Sequence, residues 1–128
     1  MIVIACPGQG SQTPGFLNDW LELPGAREFL GEASERSGVD LIGHGTESDA
    51  ETIRDTAVAQ PLIVAASLLA WRELSGRADL GDAGVAGHSV GEFAAAAAAG
   101  VLSEGDALQL VGVRGRAMAE AAAQAGTG

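Results

Sequence analysis

Residues 84–92 read Gly84-Val85-Ala86-Gly87-His88-Ser89-Val90-Gly91-Glu92, and the Ala-rich run 93–99 follows them. A short apolar segment, a Gly-x-Ser-x-Gly turn and a strong helix former, in this order, predict a strand, one sharp turn and a helix. The turn forces Ser89 into a strained backbone conformation, while Gly87 and Gly91 remove side chains where the helix would strike the strand. The Ser89 hydroxyl then stands at a helix N-terminus, whose free N–H groups can receive developing negative charge.

This turn has two interpretations, a nucleophilic serine or an ordinary strand-to-helix connection. Gly-x-Ser-x-Gly also arises by chance in Gly-rich sequences, and this chain contains 19 glycines. The apolar segment before the motif and the helix former after it favour the nucleophile.

The composition of the 128 residues is typical of one globular domain, since 47% of them are hydrophobic. The net charge of −10 argues against a nucleic acid or an anionic membrane as the main partner. An acidic partner protein would need a local basic patch, to which Arg72 and Arg77 could contribute; two solvated surface arginines are the alternative. The single cysteine, Cys6, excludes an internal disulfide and is expected to be a buried structural thiol.

The sequence shows no targeting segment. The N-terminus lacks the basic stretch, apolar stretch and cleavage site of a secretory signal, and no apolar run is expected to span a bilayer. We therefore expect a cytoplasmic protein.

The N-terminal residues Met1–Cys6 form a continuous apolar run, which predicts a strand buried on both faces, as in a parallel sheet. The loop Pro7-Gly8-Gln9-Gly10-Ser11-Gln12 follows it. Its glycines allow close backbone approach, and its glutamines supply uncharged donors. No Gly-Lys-Ser/Thr follows, so this is not a phosphate-binding P-loop.

The middle of the chain alternates helical segments with polar turns. Gly38 is a good helix stop, and His44, between two glycines, is interpreted as a surface residue rather than a base or a metal ligand. The predicted segments are helices at Phe16–Leu23 and Ala26–Ser37, a loop at Asp40–Asp49 and a helical turn at Glu51–Thr56.

The next helix, Ala59–Leu74, is apolar around most of its circumference, which is typical of a helix packed on several sides. Pro61 is tolerated in its first turn, and Gly76 is expected to stop it. Gln60 is then a polar group near the interior, where it either caps the backbone or faces a site. Strands alternating with helical segments predict an α/β fold with a largely parallel sheet.

The last helix begins after Ser103, which forms a capping-box-like pair with Asp106. Arg114 falls in the middle of an apolar stripe on this helix, and Arg116 points almost the opposite way. An arginine in that position must pair with an anion or extend to solvent, and its planar fork suits a carboxylate. A substrate carboxylate and a structural salt bridge to an internal Asp or Glu fit the pattern equally well. The stripe comprises Ala107, Leu110, Val111, Met118 and Ala121.

Together these pieces resemble the malonyl-CoA:acyl-carrier-protein transacylases, the acyltransferase family of fatty-acid and polyketide synthesis. The order and spacing of four motifs match that family throughout the chain. The resemblance implies a parallel-sheet, α/β-hydrolase-like acyltransferase core, of which residues 1–128 would be the N-terminal portion, without the family's ferredoxin-like subdomain. The matching motifs are Pro7-Gly8-Gln9-Gly10-Ser11-Gln12, Gln60-Pro61, Gly87-His88-Ser89-Val90-Gly91-Glu92, and Arg114-Gly115 with Met118.

The resemblance implies transfer in two half-reactions. Ser89 attacks the thioester of malonyl-CoA, and the pantetheine thiol of acyl carrier protein then attacks the malonyl-serine. Gln9 matches the glutamine that helps to form the oxyanion hole with the Val90 N–H, and losing one such donor typically costs about 3 kcal/mol of transition-state stabilisation. Arg114 matches the arginine that holds the malonyl carboxylate, and Gln60 matches a supporting glutamine. No cofactor, metal, nucleic acid or membrane is implied, and the complete protein is expected to be a monomer.

One part of the family's site has no counterpart in this sequence. The family's catalytic histidine lies beyond residue 128, and neither histidine present replaces it. His88 points to the opposite face from Ser89, and His44 belongs to no motif. We therefore expect residues 1–128 to be the N-terminal part of a longer protein and to be inactive alone. The start at Met1 favours a freestanding enzyme over a module of a multienzyme.

Two rival functions remain open at this point. A serine esterase of the α/β-hydrolase type shares the turn around Ser89, but it would use water as the acceptor and leaves Arg114 unexplained. An inactive fragment or interaction module would carry no acyl group on Ser89 after exposure to malonyl-CoA.

Overall fold

Two short parallel strands and six α-helices make up the protein in the computed structural model, which describes residues 1–126. This alternation confirms the α/β fold with a parallel sheet. In chain order the elements are β1 (Val3–Cys6), a 3₁₀ helix (Trp20–Glu22), α1 (Ala26–Ser37), α2 (Leu41–Thr46), α3 (Ala50–Arg54), α4 (Thr56–Arg77), β2 (Gly84–Gly87), α5 (Gly91–Ala98) and α6 (Glu104–Gln124).

The sheet pairs β1 with β2 in parallel, from Val3 opposite Gly84 to Cys6 opposite Gly87. Because parallel strands end at the same edge, the loop after β1 and the turn after β2 leave the sheet side by side. The prediction that the first strand is buried on both faces is wrong. Val3 is 55% exposed and only Cys6 in β1 is buried, because within residues 1–126 a single neighbouring strand covers β1.

The central helix is α4, which packs against α1, α2, α3, α5 and α6 and so confirms the prediction of packing on several sides. It begins at Thr56 rather than at Ala59, because the Asp55 carboxylate accepts the Ala57 N–H at 2.8 Å and caps the helix there. Pro61 consequently lies beyond the first turn, and Gly76 lies inside the helix instead of stopping it. The early start places Gln60 in the buried part of α4.

The same helix has the length and composition of a membrane span, with a mean hydropathy of 1.2 over 18 residues, contrary to the expectation from sequence. Core helices of proteins without membrane spans meet these criteria too. Half of that window is buried inside the protein, so its packing against five helices accounts for its apolar composition.

The predicted helix at Phe16–Leu23 is wrong, since only the 3₁₀ helix forms there, among turns. The Leu17 N–H donates to the Gly45 carbonyl at 3.1 Å, a long-range bond that replaces a local helical one. Leu23 precedes a proline and is extended, with ψ of 141°. The predicted helix Ala26–Ser37 is confirmed as α1, and Gly38 ends it with φ of +76°.

The predicted loop at Asp40–Asp49 is also wrong, because α2 occupies most of it. The Asp40 carboxylate accepts the Gly43 N–H at 3.1 Å and caps α2, while Leu41 is buried in the core. The predicted helical turn at Glu51–Thr56 is confirmed as α3, shifted towards the N-terminus.

The last helix, α6, begins as predicted, with Ser103 Oγ accepting the Asp106 N–H at 3.0 Å. Its buried face is rotated from the predicted one, and Leu110 and Met118 are 47% and 44% exposed. The reason is two glycines: a Cβ on Gly112 would overlap the Ser37 carbonyl, and one on Gly115 would lie 3.2 Å from the Thr56 carbonyl. These glycines let α6 approach α1 and α4 closely, so their side of the helix turns inward.

Candidate active site

The turn between β2 and α5 confirms the predicted strained serine. Ser89 has φ of +53°, and it is the one non-glycine residue with positive φ among residues 1–126. Such a conformation typically costs about 1–3 kcal/mol and persists only where the surrounding structure enforces it. Here the exposed Ser89 sits between the end of β2 at Gly87 and the buried Val90.

The glycines on either side of Ser89 have the predicted steric role. A Cβ on Gly87 would overlap the backbone of Gly91 and Glu92. A Cβ on Gly91 would overlap the Cys6 carbonyl and lie 2.7 Å from the Pro7 carbonyl oxygen. The start of α5 can therefore lie this close to the end of β1 only because Gly91 has no side chain.

Replacing Gly91 with alanine is expected to destabilise the protein by about 1–3 kcal/mol, because the new methyl group meets backbone that cannot move aside. Gly76→Ala is the matched control. Gly76 lies near the exposed end of α4 with nothing within 4 Å of the new Cβ, so we expect the free energy of unfolding to rise by about 0.5–1 kcal/mol. Urea unfolding of the purified protein compares the two, and equal midpoints would contradict the steric role of Gly91.

The backbone of the turn presents a donor beside Ser89. The N–H groups of Gly91, Glu92 and Phe93 turn back onto the carbonyls of residues 88, 89 and 90 at 3.0–3.1 Å. The Val90 N–H meets no acceptor within the part of the chain that the structure describes. It lies at the positive end of the α5 dipole, where it can stabilise an oxyanion.

Residues 7–12, here called the Gln9 loop, lie against this turn. A Cβ on Gly8 would be 2.7 Å from His88 Nδ1 and 2.8 Å from the His88 carbonyl oxygen. The Gln9 side chain points elsewhere, since its Nε2 donates to Thr56 Oγ1 at 3.2 Å and to the Arg54 carbonyl at 3.3 Å. The amide of Gln9 is therefore engaged with the start of α4.

Arg114 joins the turn to the core of α4. Its Nη1 donates to Gln60 Oε1 at 2.7 Å, and its Nη2 lies 3.4 Å from Ser89 Oγ. Gln60 is 1% exposed, and its Nε2 donates to Met118 Sδ at 3.3 Å. The Gln60 side chain therefore bonds the side chains of Arg114 and Met118 rather than capping the backbone.

No carboxylate pairs with Arg114 within residues 1–126, where the ion pairs are Arg72–Glu104 and Arg77–Glu73. The structural salt bridge that the sequence allowed is thus absent from this region. Arg114 is held by a neutral amide and a hydroxyl, and the Phe93 ring lies 5.8 Å from its Cζ. The guanidinium charge remains available to an incoming anion.

The basic patch considered for Arg72 and Arg77 does not form, because each arginine is paired. Arg72 binds Glu104 at 3.1 Å and lies over the Phe29 ring at 4.3 Å, and Arg77 binds Glu73 at 3.0 Å. Each arginine charge is thus balanced by a neighbouring glutamate carboxylate.

The sequence predicted that neither His44 nor His88 acts as the base, and neither of them bonds to Ser89 Oγ in the structure. His44 Nδ1 lies 2.8 Å from Ser48 Oγ, and His88 packs against Gly8. Cys6 is buried as expected, and desolvation by burial raises the pKa of its thiol.

Thr56 is the site residue that sequence reasoning missed. It was expected at the end of a helical turn, whereas it is the first residue of α4 and contacts Gln9. The signal that could have found it is Asp55, a favourable N-cap residue directly before an apolar helical run.

Comparison with known proteins places this arrangement in a family. Residues 3–128 match the acyl transferase domain. The malonyl CoA-acyl carrier protein transacylase of Mycobacterium tuberculosis is 53% identical over 130 residues, which cover 100% of this chain and 43% of that protein. The crystal structure of MCAT from Mycobacterium tuberculosis matches with a TM-score of 0.93 and 52% identity, covering 97% of this chain and 42% of that one.

A further match is a type II PKS acyl-carrier protein in complex with its malonyl-transacylase, with a TM-score of 0.84 and 36% identity over 94% of this chain and 39% of that one. The chain thus spans about two fifths of the length of these relatives. The turn around Ser89, the Gln9 loop and the Arg114–Gln60 pair all lie within the matched residues. The chain therefore belongs to the acyl transferase domain family.

Proposed function

We propose that this chain carries the serine nucleophile and the carboxylate-binding arginine of a malonyl-CoA:acyl carrier protein transacylase. The observation that carries the proposal is Arg114, which lies beside Ser89 Oγ at 3.4 Å, is held by the buried Gln60 and has no carboxylate partner in residues 1–126. The names of its relatives, which specify malonyl-CoA and acyl carrier protein, support the same substrates.

In the first half-reaction, Ser89 Oγ forms a bond to the thioester carbonyl carbon of malonyl-CoA while a base takes the hydroxyl proton. The carbonyl electron pair moves onto oxygen, then returns as the C–S bond breaks and CoA leaves with a proton. In the second half-reaction the pantetheine thiol attacks the malonyl-serine ester and expels Ser89 Oγ, which recovers its proton. The malonyl group is thereby transferred to the carrier protein.

The guanidinium of Arg114 selects the acyl group in this proposal. Nη2 of Arg114 lies 3.4 Å from Ser89 Oγ, so a carboxylate at the end of an acyl group on Ser89 can accept two charge-assisted hydrogen bonds from the guanidinium. Gln60 Oε1 fixes the orientation of the fork through the 2.7 Å bond to Nη1. An acetyl group has no carboxylate and gains nothing from this contact.

We propose that the oxyanion hole is formed by the backbone N–H groups of Val90 and Gln9. The Gln9 side-chain amide already donates to Thr56 Oγ1 and the Arg54 carbonyl, which favours its main-chain donor instead. The contact of Gly8 with His88 brings this loop beside Ser89.

The general base in this proposal comes from outside residues 1–126. His44 and His88 make contacts that do not involve Ser89, and the chain spans about two fifths of its relatives. An imidazole contributed by the remainder of the complete protein would take the Ser89 proton. The proposal also includes a cytoplasmic monomer that needs no metal or cofactor.

The test is an acyl-enzyme experiment on the complete protein. After exposure to malonyl-CoA, peptide mass spectrometry is expected to find a malonyl group on Ser89, and added holo-acyl carrier protein should remove it. Release of malonate at the same rate without the carrier protein would favour the esterase. Absence of any adduct would favour an interaction module.

A further inference from the structure

Both glutamines of the Gln9 loop bind residues 53–57, which comprise the end of α3, Asp55 and the start of α4. This segment is here called the α3–α4 connection. Gln12 Nε2 donates to the Ile53 carbonyl at 3.0 Å, while its Oε1 accepts the Gly10 N–H at 2.9 Å. Gln9 Nε2 donates to the Arg54 carbonyl and to Thr56 Oγ1. Thr56 is the one side chain that Gln9 hydrogen-bonds among residues 1–126.

The α3–α4 connection is itself held firmly. The Asp49 carboxylate accepts the Thr52 N–H at 2.8 Å ahead of it, and Asp55 caps α4 within it. Ile53 is 2% exposed. On its other side, α6 approaches so closely that a Cβ on Gly115, next to Arg114, would lie 3.2 Å from the Thr56 carbonyl. The connection therefore contacts both the Gln9 loop and the helix that carries Arg114.

Gln9 depends on such contacts because glycines flank it. Gly10 has φ of +113°, and Gly8 has no side chain that could pack. A residue between two glycines has wide backbone freedom, and the peptide plane that carries the Gln9 N–H is also held by Ser11 Oγ, which donates to the Gly8 carbonyl at 3.0 Å. The side-chain bonds of Gln9 act together with this bond to set the direction of its N–H.

We propose that Thr56 is a positioning residue for the acylation of Ser89. Its hydroxyl holds the Gln9 side chain, and this bond keeps the Gln9 backbone N–H aimed at the thioester oxygen as negative charge develops there. The inference rests on the proposed function and deepens it, since it assigns the geometry of the oxyanion hole to a residue that bonds Gln9 and makes no hydrogen bond to Ser89.

Thr56→Val tests this in the complete protein, because valine keeps the shape of threonine and removes the hydroxyl. We expect the single-turnover rate of Ser89 acylation to fall about tenfold, less than the roughly 10²–10³-fold loss typical of removing an oxyanion donor outright. The KM for malonyl-CoA and the preference for malonyl over acetyl groups should stay unchanged. Thr56→Ser, which keeps the hydroxyl, should restore most of the rate.

Thr46→Val is the matched control, since its hydroxyl bonds the Ile42 carbonyl at 2.7 Å inside α2, and it should acylate at the normal rate. A second measurement uses the Gln9→Ala background, where Thr56→Val should cause no further loss because the contact is already gone. If Thr56→Val folds poorly, Thr56→Ala in the same two backgrounds gives the same comparison.

The outcomes separate the two proposals. An unchanged rate in Thr56→Val, or losses that multiply in the double variant, would overturn the positioning role and leave the transacylase function standing. Failure of the unaltered protein to acylate Ser89 would overturn both.

Discussion

Replacing Ser89 with alanine is expected to abolish acyl transfer, with a rate loss on the order of 10⁴-fold or more, because the proposed mechanism forms its covalent intermediate on the Ser89 hydroxyl. The residual rate would reflect substrate binding and the oxyanion donors alone. Peptide mass spectrometry of the complete protein after exposure to malonyl-CoA measures the adduct directly. Ser75→Ala is the control, since its exposed hydroxyl bonds only carbonyls of α4.

The strained backbone at Ser89 gives the same experiment a second readout. Glycine adopts φ near +53° without strain, whereas alanine does not, so Ser89→Gly should unfold at a higher urea concentration than Ser89→Ala. We expect a difference of about 1 kcal/mol, with both variants inactive. A surviving malonyl adduct in either variant would refute Ser89 as the nucleophile, and equal stabilities would contradict strain at this position.

Replacing Arg114 with alanine is expected to lower malonyl transfer by about 10²- to 10⁴-fold while acetyl transfer changes little. Each charge-assisted hydrogen bond to the malonyl carboxylate contributes about 1.5–3 kcal/mol, and an acetyl group makes neither bond. Transfer rates with malonyl-CoA and acetyl-CoA, measured side by side in the complete protein, give the ratio. Because Gln60 would lose its partner as well, the ratio is more informative than either rate alone.

Arg116→Ala provides the control for charge and helix position. Arg116 lies two residues further along α6, but its Nη1 donates to the Ser37 carbonyl at 2.9 Å, away from Ser89. Both acyl groups should transfer from this variant with nearly unchanged preference. Equal losses for malonyl and acetyl groups in Arg114→Ala would contradict the carboxylate-binding role.

The features that could be predicted from sequence have local causes. Ser89 between Gly87 and Gly91 requires a sharp turn whatever the rest of the fold does, and the structure has it. The C-terminal end of α1 follows from a glycine in the left-handed conformation at position 38, and Ser103 marks the start of α6. Each of these signals acts within a few residues.

The features that were missed depend on contacts between distant parts of the chain. The Gln9 amide reaches Thr56, 47 residues away, and no local pattern contains that information. The buried face of α6 is determined by the close contacts that Gly112 and Gly115 make with neighbouring helices. A pattern of apolar residues does not detect these contacts, because it counts glycine as neither apolar nor polar. The segment at 16–23 forms a long-range bond from Leu17 to Gly45 in place of a helix.

The two-stranded sheet has a practical consequence for handling this stretch of chain. Within residues 1–126 each strand has one neighbour, so each presents an edge of unpaired N–H and C=O groups. The exposed Ile2 and Val3, at 52% and 55%, put apolar side chains beside that edge. Strand edges flanked by apolar groups promote intermolecular β-pairing and aggregation. Preparations of these residues alone are therefore best kept dilute, and their solubility should improve when that edge is covered.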